Sequence, residues 1–160
     1  MAAEIITIDS SARPEESVQR AASALRDGAL VAFRTETVYG LAANAALGDS
    51  MDRLCAIKGR DAEKPFTLHI GHKRDREQYA PAVSPIGHRL TKKGWPGPLT
   101  LIFPIADASV VPGYSSLSSR GVEAIYSRGS IGIRCPDDAV AEALLTSAAC
   151  PVVASSANFA

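Results

Sequence analysis

The chain has 160 residues, of which 46% are hydrophobic and 21% are charged, a size and balance typical of one soluble domain with a hydrophobic core. Its 17 basic residues equal its 17 acidic residues, so no overall positive field indicates a nucleic-acid ligand, although this balance leaves room for a local basic patch. The longest apolar stretches, at 28–33 and 99–103, are far shorter than the roughly 20 residues of a membrane span, and no basic segment precedes an apolar run near Met1. We therefore expect a cytoplasmic protein without a membrane-spanning helix or a secretory signal.

The chain opens with a pattern of strand, helix and strand. Residues 5–8 and 29–33 are β-branched or apolar runs, and between them apolar residues recur at the i, i+3, i+4 and i+7 positions of 18–25. Pro14 lies near the start of this predicted helix, and Gly28 follows its end. Alternation of this kind favours an α/β sheet domain.

The middle of the chain continues the alternation. A helix is predicted over 51–58, with Asp49 or Ser50 as its N-cap, and a strand is predicted over 66–70. A Ser-Pro pair then starts another helix, which spans 84–94.

A rigid turn is predicted at 95–98, where the sequence reads Trp-Pro-Gly-Pro. Residues 106–130 are rich in Ser and Gly without a sustained period, which predicts a long, partly irregular connection able to act as a flap. The remaining predicted elements are strands over 99–103, 131–134 and 152–154, and a helix that Asp137 caps and that ends near residue 147.

Several common site signatures are absent from the sequence, namely G-x-x-x-x-G-K-[ST], G-x-G-x-x-G, G-x-S-x-G and H-E-x-x-H. Cys55, Cys135 and Cys150 are an odd set without C-x-x-C spacing, which argues against a disulfide framework and a zinc site. We expect them to be small buried apolar residues. His69 and His72 are three positions apart, so on one strand they would point to opposite faces and would not share a metal.

Polar residues collect instead at the ends of predicted elements. Segment 34–41, which reads R-T-E-T-V-Y-G-L, directly follows an apolar strand, and ligands of open α/β sheets bind at such strand ends. Lys58 and Arg60 flank Gly59 just after a helix, where two cations can converge on phosphate oxygens. Taken alone, this pair is more typical of solvated surface charge.

A second polar group follows the last predicted strand. Ser155, Ser156 and Asn158 carry hydroxyl and amide groups that can donate to phosphate or ribose, and Arg134 ends the strand 131–134. Taken singly, Ser156 is typical of a helix N-cap or a turn, and Arg134 is typical of a surface salt bridge. A functional interpretation therefore depends on the joint occurrence of these residues.

Six short segments occur together in a fixed order: T-E-T-V-Y-G-L, K-G-R, P-F-T-L-H-I, W-P-G-P-L-T, I-G-I-R-C-P and S-S-A-N. In this combination the chain closely resembles the YrdC-like family of threonylcarbamoyl-AMP synthases, over about residues 24–158. The resemblance implies an α/β fold, a twisted, mostly mixed open sheet flanked by helices. It also implies a single YrdC-like domain over 1–160 that lacks its C-terminal part, because the family continues for a few tens of residues beyond Phe159-Ala160.

The activity that the resemblance implies is ATP-dependent synthesis of threonylcarbamoyl-AMP from L-threonine and bicarbonate or CO2, with release of pyrophosphate. Mg²⁺ accompanies the nucleotide, and no residue of this chain is implied as a metal ligand. The partners implied are a threonylcarbamoyl-transferase complex, which passes the group to an adenosine beside the tRNA anticodon, and tRNA or double-stranded RNA itself.

The family motifs also imply roles for particular residues. Lys58 and Arg60 would carry the catalytic positive charge. The ATP-binding positions would be Lys58, Arg60, Ser130, Ser156 and Asn158. The L-threonine-binding positions would be Thr35, Arg60, His69, Arg134 and Ala154.

The chemistry of this reaction suits such residues. The amine of threonine attacks a one-carbon electrophile, and the carbamate oxygen then attacks the α-phosphate, so the protein mainly positions reactants and neutralises phosphate charge. Arg60 or Arg134 can hold a carboxylate through two parallel hydrogen bonds, while Thr35 and His69 can contact the threonine hydroxyl. Glu36 and Tyr39 are interpreted as residues that shape the loop. No general base is identified.

Three positions depart from the family pattern. Arg34 and Asp61 stand where prolines are common, and Asp138 stands where a histidine is often found. Two other functions remain open at this point. One is an RNA-binding YrdC-like module without adenylate synthesis, and the other is a carbamoyl-transfer domain of the hydrogenase-maturation type.

Overall fold

The computed structural model describes residues 3–8, 14–59 and 64–158. Within these residues the helices are α1 (Pro14–Arg26), α2 (Gly48–Lys58), α3 (Pro85–Gly94), α4 (Ser119–Ile125) and α5 (Ala139–Ala148). The strands are β1 (Val31–Phe33), β2 (Gly40–Asn44), β3 (Thr67–His69), β4 (Thr100–Pro104), β5 (Tyr126–Ser127), β6 (Ser130–Arg134) and β7 (Val152–Ser156). Short 3₁₀ turns occur at Lys73–Gln78, Ala108–Val110 and Tyr114–Ser116.

All seven strands join one open sheet in the order β1-β2-β7-β3-β6-β4, with β5 paired to β6. β3 and β6 are parallel, whereas the other pairs are antiparallel. The predicted α/β fold with a mixed sheet flanked by helices is therefore confirmed.

The two faces of the sheet are covered differently. One face packs into a large hydrophobic core that includes Leu68, Ile133 and Val153. Part of the other face packs against α1 and α5 through a second core. The rest of that second face is open, since Ile102, which pairs with Gly132 on it, is 73% exposed.

Local capping explains where two of the helices begin. Ser84 accepts a hydrogen bond from the Gly87 amide at 3.1 Å, with a proline at the first helical position, as predicted. The N-cap of α5 is Asp138 and not the predicted Asp137, because the Asp138 carboxylate accepts from the Val140 and Ala141 amides. The order of elements is unaffected by this shift of one residue.

Near the start of the sheet one predicted strand is wrong and one strand was not predicted. Residues 5–8 form no strand, and Ile5 is 90% exposed, because no neighbouring strand pairs with this segment in the described part of the chain. The strand that pairs with both β1 and β7 is β2, where no strand was predicted. Tertiary pairing, and not hydrophobic content alone, decides which run becomes a strand.

The predicted caps of α2 are also wrong. The helix begins at Gly48, with Leu47 at the N-cap position, so Asp49 and Ser50 lie inside its first turn. Ser50 is fully buried, and its hydroxyl accepts a hydrogen bond from the Asn44 amide at 3.2 Å. This serine therefore joins α2 to the end of β2 instead of starting the helix.

The segment 106–130 is more regular than predicted. It contains two 3₁₀ turns, α4 and β5, and Ser118 caps α4 by accepting from the Gly121 amide. Whether part of this segment acts as a flap stays a prediction.

The remaining expectations concern cysteines, histidines and membrane spans. The three cysteines are free, Cys135 is buried as predicted, and Cys55 and Cys150 are half-buried. His72 lies beyond β3 and approaches Glu142, with Nδ1 3.5 Å from Oε1. No helix in the described residues is both long enough and apolar enough to cross a membrane.

Gly121 provides a stability test of the α4 packing. A Cβ at this position would lie 2.1 Å from the backbone oxygen of Ala45, so Gly121→Ala forces α4 away from Ala45. We expect the free energy of unfolding in urea to fall by about 2 kcal/mol, since overpacking outweighs the helix propensity of alanine. Gly48→Ala is the matched control, because its Cβ meets only Arg120 Cγ at 3.8 Å. Equal stability of the two variants would contradict this packing.

Candidate active site

A cavity of about 190 Å³ lies on the second face of the sheet, beside the part that is left open. Its walls are formed by the loop 35–40, by Thr67 and His69, by Arg134, and by 154–156. Thr100 completes the lining from the edge strand. Of the residues that the family motifs single out, Thr35, His69, Arg134, Ala154 and Ser156 meet here.

Strand register explains why these side chains converge. Thr67 pairs with Ala154, and His69 pairs with Arg134, so all four point to the same face of the sheet. Gly40 pairs with Ser156 and brings the loop that precedes β2 to the same place. The cavity therefore depends on three strands that are distant in sequence.

The loop that forms one wall is folded on itself by threonine hydroxyls. Thr35 Oγ1 donates to the carbonyl of Val38 at 2.7 Å and accepts from the Thr37 amide at 3.3 Å. A side chain that bonds to nearby backbone in this way stabilises a turn without requiring a helix or strand. The T-E-T run thus gives the loop its local shape.

Arg134 is held by a carboxylate on this loop. Its Nη2 donates to Glu36 Oε1 at 2.7 Å and to Thr37 Oγ1 at 2.8 Å, and the two charged side chains are only 15% and 19% exposed. The second oxygen of Glu36 accepts from the Asp137 amide at 3.1 Å. Glu36 therefore shapes the site, as the sequence indicated, by fixing the arginine.

The guanidinium of Arg134 still has an unused donor. Its Nε is buried and has no hydrogen-bond partner among the described residues. A buried donor without a partner costs about 1–3 kcal/mol. The donor belongs to a cavity-lining residue, but the atom itself is not exposed.

His69 enters the cavity as a neutral ring. Burial lowers its pKa from 6.5 to about 4, against a smaller opposing effect of its hydrogen bond to backbone. Nδ1 lies 3.1 Å from the carbonyl of Thr67, which assigns the proton to Nδ1 and leaves Nε2 as an acceptor. The ring also packs edge-on against Phe33, with 6.1 Å between centroids.

Lys58 lies close to the S-S-A-N segment at the end of β7. Its Nζ donates to the carbonyl of Ser156 at 2.9 Å and also to the carbonyl of Asn158. Gly59 follows in the left-handed conformation, with φ of 51°, and ends the helix as a tight turn. The structure thus brings the lysine to Ser156 and Asn158, whereas Arg60 lies outside the described residues.

Ser130 is separated from the cavity lining. It begins β6, pairs with Pro104, and donates its hydroxyl to the carbonyl of Ser127 at 2.9 Å. It lies roughly 13 Å from Arg134 along the strand, on the same face. Any contact of Ser130 with a ligand in the cavity requires a ligand that extends along the open face.

Sequence reasoning named no role for two residues that line the cavity. Thr67 is two positions before His69, so the two-residue period of a strand predicts that both side chains point to the same face. Thr100 pairs with Arg134, and only the register of β4 against β6 places it there.

Two of the three departures from the family pattern contact each other. Arg34 Nε donates to Asp138 Oδ2 at 2.7 Å. The third departure, Asp61, lies outside the described residues.

Taken together, these features define an α/β domain that can bind a small polar ligand on an open sheet face. The family model described as telomere recombination, Sua5_yciO_yrdC, matches residues 23–160. The chain belongs to this Sua5, YciO and YrdC family.

Relatives of known name agree with this assignment. Threonylcarbamoyl-AMP synthase of Pyrococcus abyssi is 36% identical over 154 residues, which are 96% of this chain and 42% of that protein. The synthase of Bacillus subtilis is 35% identical over 144 residues, which are 90% of this chain and 39% of that protein. The crystal structure of P. abyssi Sua5 complexed with L-threonine is 33% identical and superposes with a TM-score of 0.75 over 91% of this chain and 39% of that chain. The chain thus spans about two fifths of the length of these relatives.

The Glu36–Arg134 pair yields a stability prediction. Glu36→Gln leaves the guanidinium without its counter-charge, so we expect the free energy of unfolding to fall by about 2 kcal/mol in urea titrations. Glu123→Gln is the control, because Glu123 pairs with Arg120 at 3.1 Å on the exposed surface. The control should lose no more than about 0.5 kcal/mol. A loss in Glu36→Gln no larger than in the control would contradict a structural role of the pair.

The neutral state of His69 predicts a dependence of stability on pH. Its folded-state pKa of about 4 lies below the unfolded value of 6.5, so the unfolded chain binds more protons between these values. Stability from this group is complete above pH 6.5 and is lost as the pH falls towards 4. We expect the unfolding free energy of the wild type, relative to His69→Asn, to decrease by about 2 kcal/mol between pH 7 and pH 4.5. A difference that stays constant over this range would show that the ring is charged or accessible.

Proposed function

We propose that this chain is the catalytic domain of a threonylcarbamoyl-AMP synthase. In this function it joins L-threonine, bicarbonate or CO2, and ATP into L-threonylcarbamoyl-AMP, and releases pyrophosphate. The observation that carries the proposal is the convergence of Thr35, His69, Arg134 and Ala154 in one cavity. The relatives that are named for this activity, and the threonine complex of one of them, support it.

The amino acid fits the cavity in charge and polarity. Arg134 supplies a fixed positive charge, which suits the carboxylate of L-threonine. His69 supplies a neutral acceptor nitrogen and Thr35 a hydroxyl, which suit the threonine side-chain hydroxyl. A substrate without that hydroxyl, such as valine, would leave the acceptor nitrogen of His69 unpaired.

The nucleotide phosphates fit the other end of the site. Lys58 would exchange its present backbone partners, the carbonyls of Ser156 and Asn158, for phosphate oxygens. The hydroxyl of Ser156 and the amide of Asn158 are exposed beside it and can donate to the same group. We assign Arg60 to this cluster from its position two residues after Lys58, and we assign Ser130 to the far part of a nucleotide that extends along the open face.

The reaction needs no covalent intermediate with the protein. The threonine nitrogen attacks the one-carbon electrophile, and a carbamate oxygen then attacks the α-phosphorus while pyrophosphate leaves. The contributions of the chain are orientation of the carboxylate by Arg134 and stabilisation of phosphate charge by Lys58.

Mg²⁺ would arrive as part of the nucleotide substrate. No group of three or more His, Cys, Asp and Glu side chains converges in the described part of the chain. Glu36, the carboxylate beside the cavity, already uses both oxygens for Arg134 and for a backbone amide. Phosphate oxygens and water are the usual ligands of Mg²⁺ in such sites, so ATP can hold the ion without protein ligands.

A cellular location, partners and a domain extent are also part of the proposal. A tRNA-modifying role places the domain in the cytoplasm, with tRNA and a threonylcarbamoyl-transferase complex as partners downstream. We also propose one YrdC-like domain over 1–160, to which longer relatives add further segments. Salt-dependent RNA binding without pyrophosphate release would instead favour an RNA-binding module.

Pyrophosphate release tests the activity directly. We expect release that requires ATP, L-threonine and bicarbonate together, and a loss of about 100-fold or more in Lys58→Ala, because one cation that stabilises the transferring phosphate is removed. Lys92→Ala, on the exposed surface of α3, is the matched control and should release pyrophosphate at the wild-type rate. Threonine binding by calorimetry, with valine as competitor, gives a second readout. Absence of both threonine binding and threonine-dependent release would overturn the proposal.

A further inference from the structure

The loop that carries Thr35 is tied to the start of α5 by a charged pair. Arg34 Nε lies 2.7 Å from Asp138 Oδ2. Arg34 directly precedes the cavity-lining threonine, and Asp138 follows the cavity-lining Arg134 by four residues. The pair therefore connects two segments that each contribute to the walls of the same cavity.

Both oxygens of Asp138 are engaged, and they do different things. Oδ1 accepts from the amides of Val140 at 2.9 Å and Ala141 at 3.0 Å, which caps α5. Oδ2 holds the guanidinium of Arg34. The Asp138 side chain is 5% exposed, whereas that of Arg34 is 61% exposed, so the carboxylate is the fixed partner and the arginine reaches in from the surface.

The fixed partner belongs to a rigid part of the fold. α5 packs against α1 and buries Ala141, Leu144, Leu145 and Ala148 in the second core. No residue from Arg34 to Tyr39 is fully buried, although the Glu36 side chain is only 19% exposed. The ion pair therefore connects a packed helix to the entry of the loop, next to the contacts that Glu36 makes with Arg134 and with the Asp137 amide.

We propose that Arg34 and Asp138 form an ionic latch that positions Thr35 at the cavity and thereby sets the affinity for the amino-acid substrate. Because it concerns the amino-acid subsite, the latch rests on the proposed function. Arg34 and Asp138 are positioning residues, since neither lines the cavity. Glu36 fixes Arg134 from the same loop, and the latch fixes the loop itself.

Two substitutions separate the latch from the helix cap. Asp138→Asn keeps an oxygen that can cap α5, since Asn caps helices as well as Asp does, but removes the negative charge. Arg34→Gln removes the positive charge and leaves the cap untouched. If the latch acts through the ion pair, the two variants have the same effect, and the double variant adds nothing to it.

The experiment measures L-threonine and ATP affinity and the two KM values for the wild type, Arg34→Gln, Asp138→Asn and the double variant. We expect the KM and Kd for threonine to rise by about threefold to fivefold in each of the three variants, with ATP binding unchanged. The effect is small because a partly exposed ion pair contributes little free energy. Arg34→Lys should restore most of the affinity. Threonine affinity of the wild type should weaken as salt is raised, and Arg34→Gln should show a smaller dependence.

The chain offers a matched control for each charge. Asp107→Asn alters an aspartate that caps the 3₁₀ turn Ala108–Val110 and has no described cationic partner. Arg120→Gln removes an exposed arginine that lies 2.9 Å from Asp52, away from the cavity. Both controls should bind threonine as the wild type does.

Each contrary outcome has a distinct meaning. Failure of the wild type to bind threonine would count against the proposed function itself. Normal threonine binding in Arg34→Gln and Asp138→Asn, in a wild type that binds it, would overturn the latch alone. Weaker threonine binding in Asp138→Asn without weaker binding in Arg34→Gln would indicate that Asp138 acts only as the cap of α5, and would also overturn the latch.

Discussion

Parallel pairing of β3 with β6 places His69 directly beside Arg134, and the rest of the candidate site is arranged around this contact. On one side, β7 pairs with β3 and brings Ala154 next to Thr67. On the other side, β4 pairs with β6 and brings Thr100 next to Arg134. Because the period of a strand is two residues, a shift of the β3–β6 register by one position would turn these side chains into the core.

The electrostatics of the site follow from that geometry. Arg134, whose side chain is 15% exposed, is neutralised by Glu36, and the adjoining histidine stays uncharged because burial lowers its pKa to about 4. Since Glu36 also accepts from a backbone amide, the carboxylate is fully engaged, whereas the arginine keeps a free Nε donor. The cavity is therefore lined by a guanidinium, which favours an anionic group such as a carboxylate.

The two proposed binding regions suit a reaction that joins an amino acid to a nucleotide. The cavity between the loop 35–40 and Arg134 has room for a small polar molecule, and Lys58 stands beside Ser156 and Asn158 at the end of β7. Ser156 belongs to both regions. The Arg34–Asp138 pair adds a contact between the loop and the start of α5.

Local sequence determined the features that depend on neighbouring residues: the helix capped by Ser84, the buried strands around Leu68, Ile133 and Val153, and the turn at Gly59. It also marked Lys58 and the S-S-A-N segment, although only their combination with other motifs indicated a shared site. Tertiary structure alone decided that 40–44 and not 5–8 joins the sheet, that Ser130 lies away from the cavity, and that Arg34 meets Asp138. The physical reason is that propensity and capping act within a few residues, whereas strand partners and ion pairs between distant segments form only when the whole sheet is assembled.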